Sequence, residues 1–305
     1  MFKRIWLFLL TNIAVILVIS IVLFIIEKVF WISVSWYWYS YTSLLIFAAV
    51  WWFAGSFISL FMSKWMAKRT YNIQVINPQD AVNLNNKEKV VWDIVEELST
   101  RNRIKMPEVW IYQDSEPNAF ATWASKNSSL VAVSSWLLDN MNEDEIKWVI
   151  GHEMSHILNW DMVTMTLLQW VLNTFVIFFA RILANIVDSQ LNKDSDEPGW
   201  GYYITSIIFE LLLWILASMI AMCFSRYREF KADEGSARFL GKEKMINALL
   251  ALKKMEPVLI HSEDWKEDNL SAFKIESKRG RWLASLFASH PSLDDRIKAL
   301  ENLRV

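Results

Sequence analysis

The sequence predicts a mainly α-helical membrane protein, with four apolar helices and a cytoplasmic α+β portion that contains a small sheet. Three observations carry this expectation. The chain is 54% hydrophobic with a mean hydropathy of +0.21, above the ~45–50% apolar content of an ordinary soluble domain. Four apolar stretches fall in two pairs. Between and after the pairs lie polar segments with mixed helix and strand patterning.

Span one, Ile5 to Ile26, and span two, Tyr41 to Met62, contain no charged residue and match the ~20 residues that a bilayer core requires. Span one exceeds a secretory h-region, lacks a small-residue cleavage pattern and is followed by a second span, so it reads as an anchor. Span three, Met162 to Val187, and span four, Tyr202 to Phe224, are interrupted by Arg181 and Glu210. Those charges should face protein, water or the interface. Lys3 and Arg4 precede span one, Lys64, Lys68 and Arg69 follow span two, and Arg226, Arg228 and Lys231 follow span four. The basic flanks assign these ends to the cytoplasm. The loop at 188 to 201, with Asp188, Asp194, Asp196 and Glu197, has no calcium-loop spacing and reads as a solvated turn.

The expected organisation is a transmembrane hairpin at 1–69, a catalytic segment at 70–161, a second hairpin at 162–224 and a helical C-terminal part at 225–305. In the polar segment, Ala81 to Asn102 reads as a helix, Glu108 to Gln113 and Ser129 to Ser134 as strands, and Asn118 to Ala124 as a further extended piece. Asn142 with Glu145 three residues on starts a helix through Ile146, Val149 and Ile150 in the manner of a capping box. Near the C-terminus Leu293, Ile297 and Leu300 share one helical face.

A net charge of −2 and a pI near 6.1 give no global basic surface, so nucleic acid is not an expected partner. The single cysteine, Cys223, excludes an internal disulfide framework.

The helix that begins at Asn142 carries the stretch GHEMSH at 151 to 156. His152 and His156, four residues apart, present two imidazoles to one point, and Glu153 sits beside it, off the direct line of coordination. This is the His-Glu-x-x-His pattern of zinc hydrolases, in which the glutamate is the general base. The alternative is a surface helix with two unrelated histidines. A catalytic zinc needs a third protein ligand and an open position. Glu229, in SRYREFKADEGSA just after span four, supplies that carboxylate. Asp233, on the same helical face, can accept the spare N–H of a zinc-bound histidine. Alone, this Glu/Asp pair would read as a solvated helix face. The hairpin of spans three and four brings Glu229 back to the side of the membrane that holds His152 and His156.

FLLTN at 8–12, GSFISLFMSKWMAKR at 55–69, NAFAT at 118–122, LVAVSS at 130–135, GHEMSHILNWDMVTMTL at 151–167, SRYREFKADEGSA at 225–237 and SHPSLDDRI at 289–297 resemble the HtpX family, bacterial membrane zinc metalloproteases related to the CAAX prenyl proteases. The likeness covers nearly the whole chain. It implies a gluzincin-type endopeptidase of the inner membrane, with its active site facing the cytoplasm, that cleaves damaged or misassembled membrane proteins in envelope quality control. It further implies polypeptide substrates, a bilayer partner, self-cleavage, one Zn²⁺ per chain on His152, His156 and Glu229, and Glu153 as base. Asn118, Ala119, Phe120 and Ala121 would lie on the edge strand that pairs with substrate, a mode with a physical basis in β-strand addition. His290 is implied to stabilise the oxyanion, or else is a helix-cap histidine before Pro291. Arg296 is implied to hold the C-terminal segment, and His261 lies outside any motif. A competing reading is an inactive zinc-binding membrane scaffold, against which Glu153 argues, because a structural site needs no base and usually has four protein ligands.

One departure from the family stands out. Trp52, Trp123, Trp136, Trp160, Trp170 and Trp214 fall where the family usually has glycine, whereas Trp65 matches a family tryptophan. The chain has 7 Gly and 18 Trp, and an indole supplies neither the positive φ nor the close backbone approach for which glycine is used. The expectation is that many of these tryptophans are UGA codons read as glycine in the source cell. The alternative is a tryptophan-rich membrane protein, in keeping with the preference of Trp for interfaces.

Overall fold

The computed structural model describes residues 41–70, 74–76, 84–114, 118–122, 125–191, 198–260 and 290–303. Span one, the acidic residues 194, 196 and 197, Trp123 and His261 lie outside the described residues. In chain order the elements are α1 (Tyr41–Thr70), β1 (Gln74–Val75), α2 (Asn86–Arg101), β2 (Glu108–Tyr112), β3 (Ala119–Thr122), β4 (Leu130–Ser134), α3 (Ser135–Asn140), α4 (Glu143–Leu158), α5 (Asp161–Leu191), α6 (Trp200–Leu240), α7 (Lys242–Ile260) and α8 (Leu293–Glu301). The chain forms two compact units, one of residues up to Leu60 with Met165–Ala221 and one of Phe61–Thr164 with Met222–Val305.

Three of the described helices, α1, α5 and α6, are long and apolar enough to cross a membrane. Phe175, Phe179, Ile207, Leu211 and Leu216 are exposed on α5 and α6, which suits a lipid environment rather than water. Small residues are buried in this unit, including Ala48, Ala180, Ala184 and Ala217, as expected where membrane helices approach closely. Trp170 Nε1 donates to the Ala49 carbonyl at 2.8 Å. The two charges that interrupt spans three and four meet each other, Arg181 Nη2 lying 3.2 Å from Glu210 Oε1.

The second unit holds a four-stranded mixed sheet in the order β1-β2-β4-β3. Strands β2 and β4 run parallel, with Val109 opposite Val131, and β3 pairs antiparallel with β4, with Ala119 opposite Val133. Side chains alternate across the sheet. Val109, Val131 and Val133 enter a core with Val91, Ile94, Val95 and Leu98 of α2 and Ile146, Ile150, Met154 and Ile157 of α4. The opposite face buries Trp110, Tyr112, Leu130 and Ala132, with Phe120 and Ala67 packed against them. There the end of α1 is tied to the sheet: Lys64 and Lys68 each lie 2.9 Å from Glu108, and Thr122 Oγ1 donates to Ser63 Oγ at 2.7 Å.

The helix boundaries follow from local chemistry. Asn142 and Glu145 form a capping box at the start of α4, and Asn85 and Glu88 do the same for α2. Both α1 and α6 run past the apolar spans read from sequence, because Lys, Arg, Glu and Ala sustain a helix where hydrophobicity ends. Glu229 and Asp233 are therefore one turn apart on a continuous α6. Leu300 is buried among Trp148, Ala237, Met245, Ala248 and Leu249, and Leu293 and Ile297 pack against the same cluster.

Ile150 is fully buried at the centre of the larger core. Ile150→Ala should therefore cost about 2–5 kcal/mol through lost contacts and a cavity, whereas Asn142→Ala should cost about 0.5–2 kcal/mol through loss of the cap. Thermal or denaturant unfolding of the detergent-solubilised variants measures both, and the opposite ranking would contradict this assignment of the core.

Candidate active site

The site is built where α4 meets the C-terminal part of α6. A Cβ added at Gly151 would stand 2.7 Å from Leu240 Cδ1 and from Ser236 Oγ, and one at Gly235 would stand 2.5 Å from Ser155 Oγ. Only glycine admits this approach without displacing a neighbour. Ser236 Oγ donates to the Trp148 carbonyl at 3.1 Å, fastening the crossing. Beside this crossing, the polar side chains of the two helices converge.

His152 Nε2 and His156 Nε2 are 3.1 Å apart. Glu229 bridges them, with Oε2 3.5 Å from His152 Nε2 and Oε1 3.5 Å from His156 Nε2. The three potential ligand atoms lie within 4.8 Å of one another. Both imidazoles are held from behind. His152 Nδ1 is 2.9 Å from Asp233 Oδ1, and Arg296 grips Asp233 with two bonds, Nη2 to Oδ1 at 2.6 Å and Nε to Oδ2 at 2.8 Å. His156 Nδ1 is 2.5 Å from Asp161 Oδ2, and Arg228 Nη1 donates to the Asp161 carbonyl at 3.1 Å. With a carboxylate on each Nδ1, that nitrogen keeps its proton when a metal displaces the other, and Nε2 becomes the electron-pair donor.

Asp161 was not among the residues singled out from sequence. It reaches His156 because α4 ends at the C-cap Asn159, Trp160 adopts a left-handed φ of 61°, and α5 then starts at Asp161 with its first residue turned back. The sequence offers only an aspartate at the mouth of a membrane-length apolar helix, where an acid needs a partner; that the partner is His156 is visible only in the fold, where Asp161 is buried.

A cavity of about 200 Å³ opens beside the cluster and is lined by Asn118, Ala119, His152, Glu153, Glu229 and His290. Arg296 also reaches it. His290 Nδ1 stands 2.9 Å from Glu229 Oε2 with its side chain 67% exposed. This contact has ion-pair distance without hydrogen-bond alignment, and Oε2 is buried with no hydrogen-bond partner. Of the other residues expected on the substrate strand, Phe120 packs on the opposite sheet face and Ala121 against the larger core.

Burial disfavours charge on both histidines, but the hydrogen bond of His152 to Asp233 and the nearby Glu229 carboxylate outweigh it and raise its pKa. For His156 the same opposition, with Asp161 and Glu229 as partners, lifts the pKa from 6.5 to about 10. The sign is that of a cation gaining partners. Without a metal, the proton on His156 stabilises the fold fully below pH 6.5, and that contribution is lost as pH rises toward about 10. A divalent cation must displace protons to bind these nitrogens. Zinc affinity should accordingly increase with pH through that interval, with proton release into the buffer on binding. Calorimetric titration in buffers of different ionisation enthalpy measures the release, and zinc uptake with no proton released would contradict the geometry above.

The model of peptidase family M48 matches residues 85–304. The chain is 46% identical to Protease HtpX of Thioalkalivibrio sulfidiphilus, over 99% of each chain. It is 48% identical to Protease HtpX of Aeromonas hydrophila, over 98% of this chain and 99% of that one. Its fold is similar to the crystal structure of S. mikatae Ste24p, with a TM-score of 0.58 and 18% identity, covering 84% of this chain and 58% of that one. The chain thus belongs to peptidase family M48 and is a membrane metalloprotease of the HtpX type.

Proposed function

We propose that the chain is a zinc endopeptidase in which His152, His156 and Glu229 hold the metal and Glu153 is the general base. The carrying observation is the convergence of two imidazole Nε2 atoms and one carboxylate within 4.8 Å, each imidazole being held through Nδ1 by its own aspartate. The donor set fits a divalent cation of zinc type: two nitrogens and one oxygen leave a coordination position open, and Glu229 Oε2 is buried without a hydrogen-bond donor. When bound, zinc supplies Lewis-acid polarisation of the scissile carbonyl and acidifies water.

The remaining steps belong to the protein. Glu153 lies one residue from His152 on α4 and lines the cavity. It takes a proton from the attacking water and delivers it to the leaving amine. Asp233 and Asp161 position the imidazoles and fix their tautomers, and Arg296 holds Asp233. His290, exposed at the rim, donates to the oxyanion. The substrate is received in extended form along Asn118 to Ala121. Because Ser134 N donates to the Asn118 carbonyl, the alternation of an antiparallel ladder directs the backbone groups of Ala119 and Ala121 to the open edge, ready for strand addition.

We further assign four membrane helices, the first at Ile5 to Ile26, and the four-part organisation with boundaries after residues 69, 161 and 224. The active site faces the cytoplasm from the inner membrane, on the basic flanks of the spans. Damaged or misassembled membrane proteins are the substrates, with the chain cleaving itself as well.

Glu153→Gln tests the reading. Zinc content of the purified protein should be retained while casein digestion falls by at least ~10²-fold, the lower range of general-base contributions. Undiminished digestion would remove Glu153 from the mechanism.

A further inference from the structure

The cavity beside the metal-ligand cluster has a second, apolar half. Leu137 of α3, Val149 of α4, and Met245, Leu249 and Leu252 of α7 line it, continuous with Asn118, Ala119 and Glu153. At about 200 Å³ it is smaller than the ~300–1,000 Å³ of a drug-sized ligand site. Its size suits one side chain. Val149 lies one turn before His152 and Glu153 on the same face of α4, so a side chain in this cavity belongs to a residue next to the bond under attack. We infer that the cavity selects a medium or large apolar residue, of the Leu, Met, Ile or Phe class, directly adjacent to the scissile bond. This rests on the catalytic reading above. Binding is by exclusion of water from matched apolar surfaces, and a polar or charged occupant would be desolvated without a partner. Such a preference fits segments rich in these residues.

The test is digestion of unfolded casein by the full-length, zinc-loaded protein in detergent, with sequencing of the product termini. Leu, Met, Ile and Phe should be enriched at one position flanking the cuts. Leu252, half-buried at the cavity wall and at the margin of both core clusters, allows it to be reshaped, with the thermal midpoint of each variant checking that the fold is kept. Leu252→Phe should lower kcat/KM for a leucine peptide by about tenfold relative to its alanine counterpart, the scale of discrimination set by small volume changes. Leu252→Ala should extend the preference to larger residues. Cuts with no apolar enrichment, or a preference unmoved by both variants, would overturn the inference while leaving the protease reading intact. Cleavage undiminished by Glu153→Gln would instead strike at the protease reading.

A different observation concerns the identity of residue 160. Among the described residues, positive φ occurs at Arg103, Trp160 and Gly241. Trp160 sits between α4 and α5, its carbonyl accepting from Thr164 N at 2.9 Å, so the left-handed turn is fixed by the helices on either side. Its indole is 42% exposed, and its one notable contact is Lys126 Nζ at 5.2 Å from the ring centroid. Glycine is the residue that takes this conformation without a Cβ penalty. Trp52 and Trp110 carry a second mark, each burying Nε1 with no hydrogen-bond partner, an arrangement that buried indoles usually avoid. With 18 Trp against 7 Gly in the chain, we propose that the codons at 160, 52 and 110 are read as glycine in the cell that makes this protein.

Peptide mass spectrometry of the protein isolated from its source cells should find glycine at 160, 52 and 110. Tryptophan at 160 overturns the proposal. A recombinant comparison supplies a physical check: Trp160→Gly should raise the thermal midpoint, and Trp160→Ala, which keeps a Cβ in the left-handed turn, should fall below Trp160→Gly. A midpoint for Trp160→Ala equal to or above that of Trp160→Gly would remove the backbone argument for glycine.

Discussion

The close crossing of α4 and α6 is the constraint on which the rest of the site depends. Two of the converging side chains come from α4 and one from α6, and none of them is long enough to compensate for helices held at an ordinary separation of about 8–10 Å by larger residues. Gly151 and Gly235 remove the Cβ atoms that would enforce such a separation, and Ser155 and Ser236 fill the interface with small groups. The Ser236 hydroxyl bonds to the Trp148 carbonyl and the Ser155 hydroxyl to the Gly151 carbonyl at 2.8 Å, so the polar atoms of this tight contact are satisfied. What looks like a minor packing detail sets the distance between Glu229 and the two imidazoles.

Around that crossing, electrostatics and geometry cooperate. Each histidine has its outer nitrogen bonded to a buried aspartate, and each aspartate is in turn tied to an arginine, Arg296 through the side chain and Arg228 through the backbone carbonyl. An unpaired buried carboxylate at either position would be costly. The arrangement offsets that cost while aligning the rings at 89° to one another. The charge pattern also explains why His156, flanked by Asp161 and Glu229, holds a proton so firmly without a metal.

Much of this was legible in the sequence, for identifiable reasons. His152, Glu153 and His156 follow from helical periodicity within one capped helix, and Glu229 and Asp233 share a face of the next long helix. The capping pair Asn142 and Glu145 announced the start of α4. Asp161 was not legible, because it lies beyond the end of α4 and its approach to His156 depends on a left-handed residue that periodicity does not encode. Phe120 illustrates another limit. It sits between Ala119 and Ala121 in a stretch that sequence similarity marks as a unit, but strand alternation turns it to the opposite face, against Trp110 and Tyr112. The apolar spans two and four stop short of the ends of α1 and α6, because hydropathy reports where the apolar surface stops rather than where the backbone leaves the helix.

The ion pair between Arg181 and Glu210 bears on how the protein is made. Either residue alone in an apolar helix would oppose entry into lipid by roughly 2.5–3.5 kcal/mol at the centre of the span, whereas the paired charges form a neutral unit. Helices α5 and α6 are therefore better suited to enter the bilayer together, as a joined hairpin, than one after the other. A slip of one turn between them would part the two charges within the apolar spans.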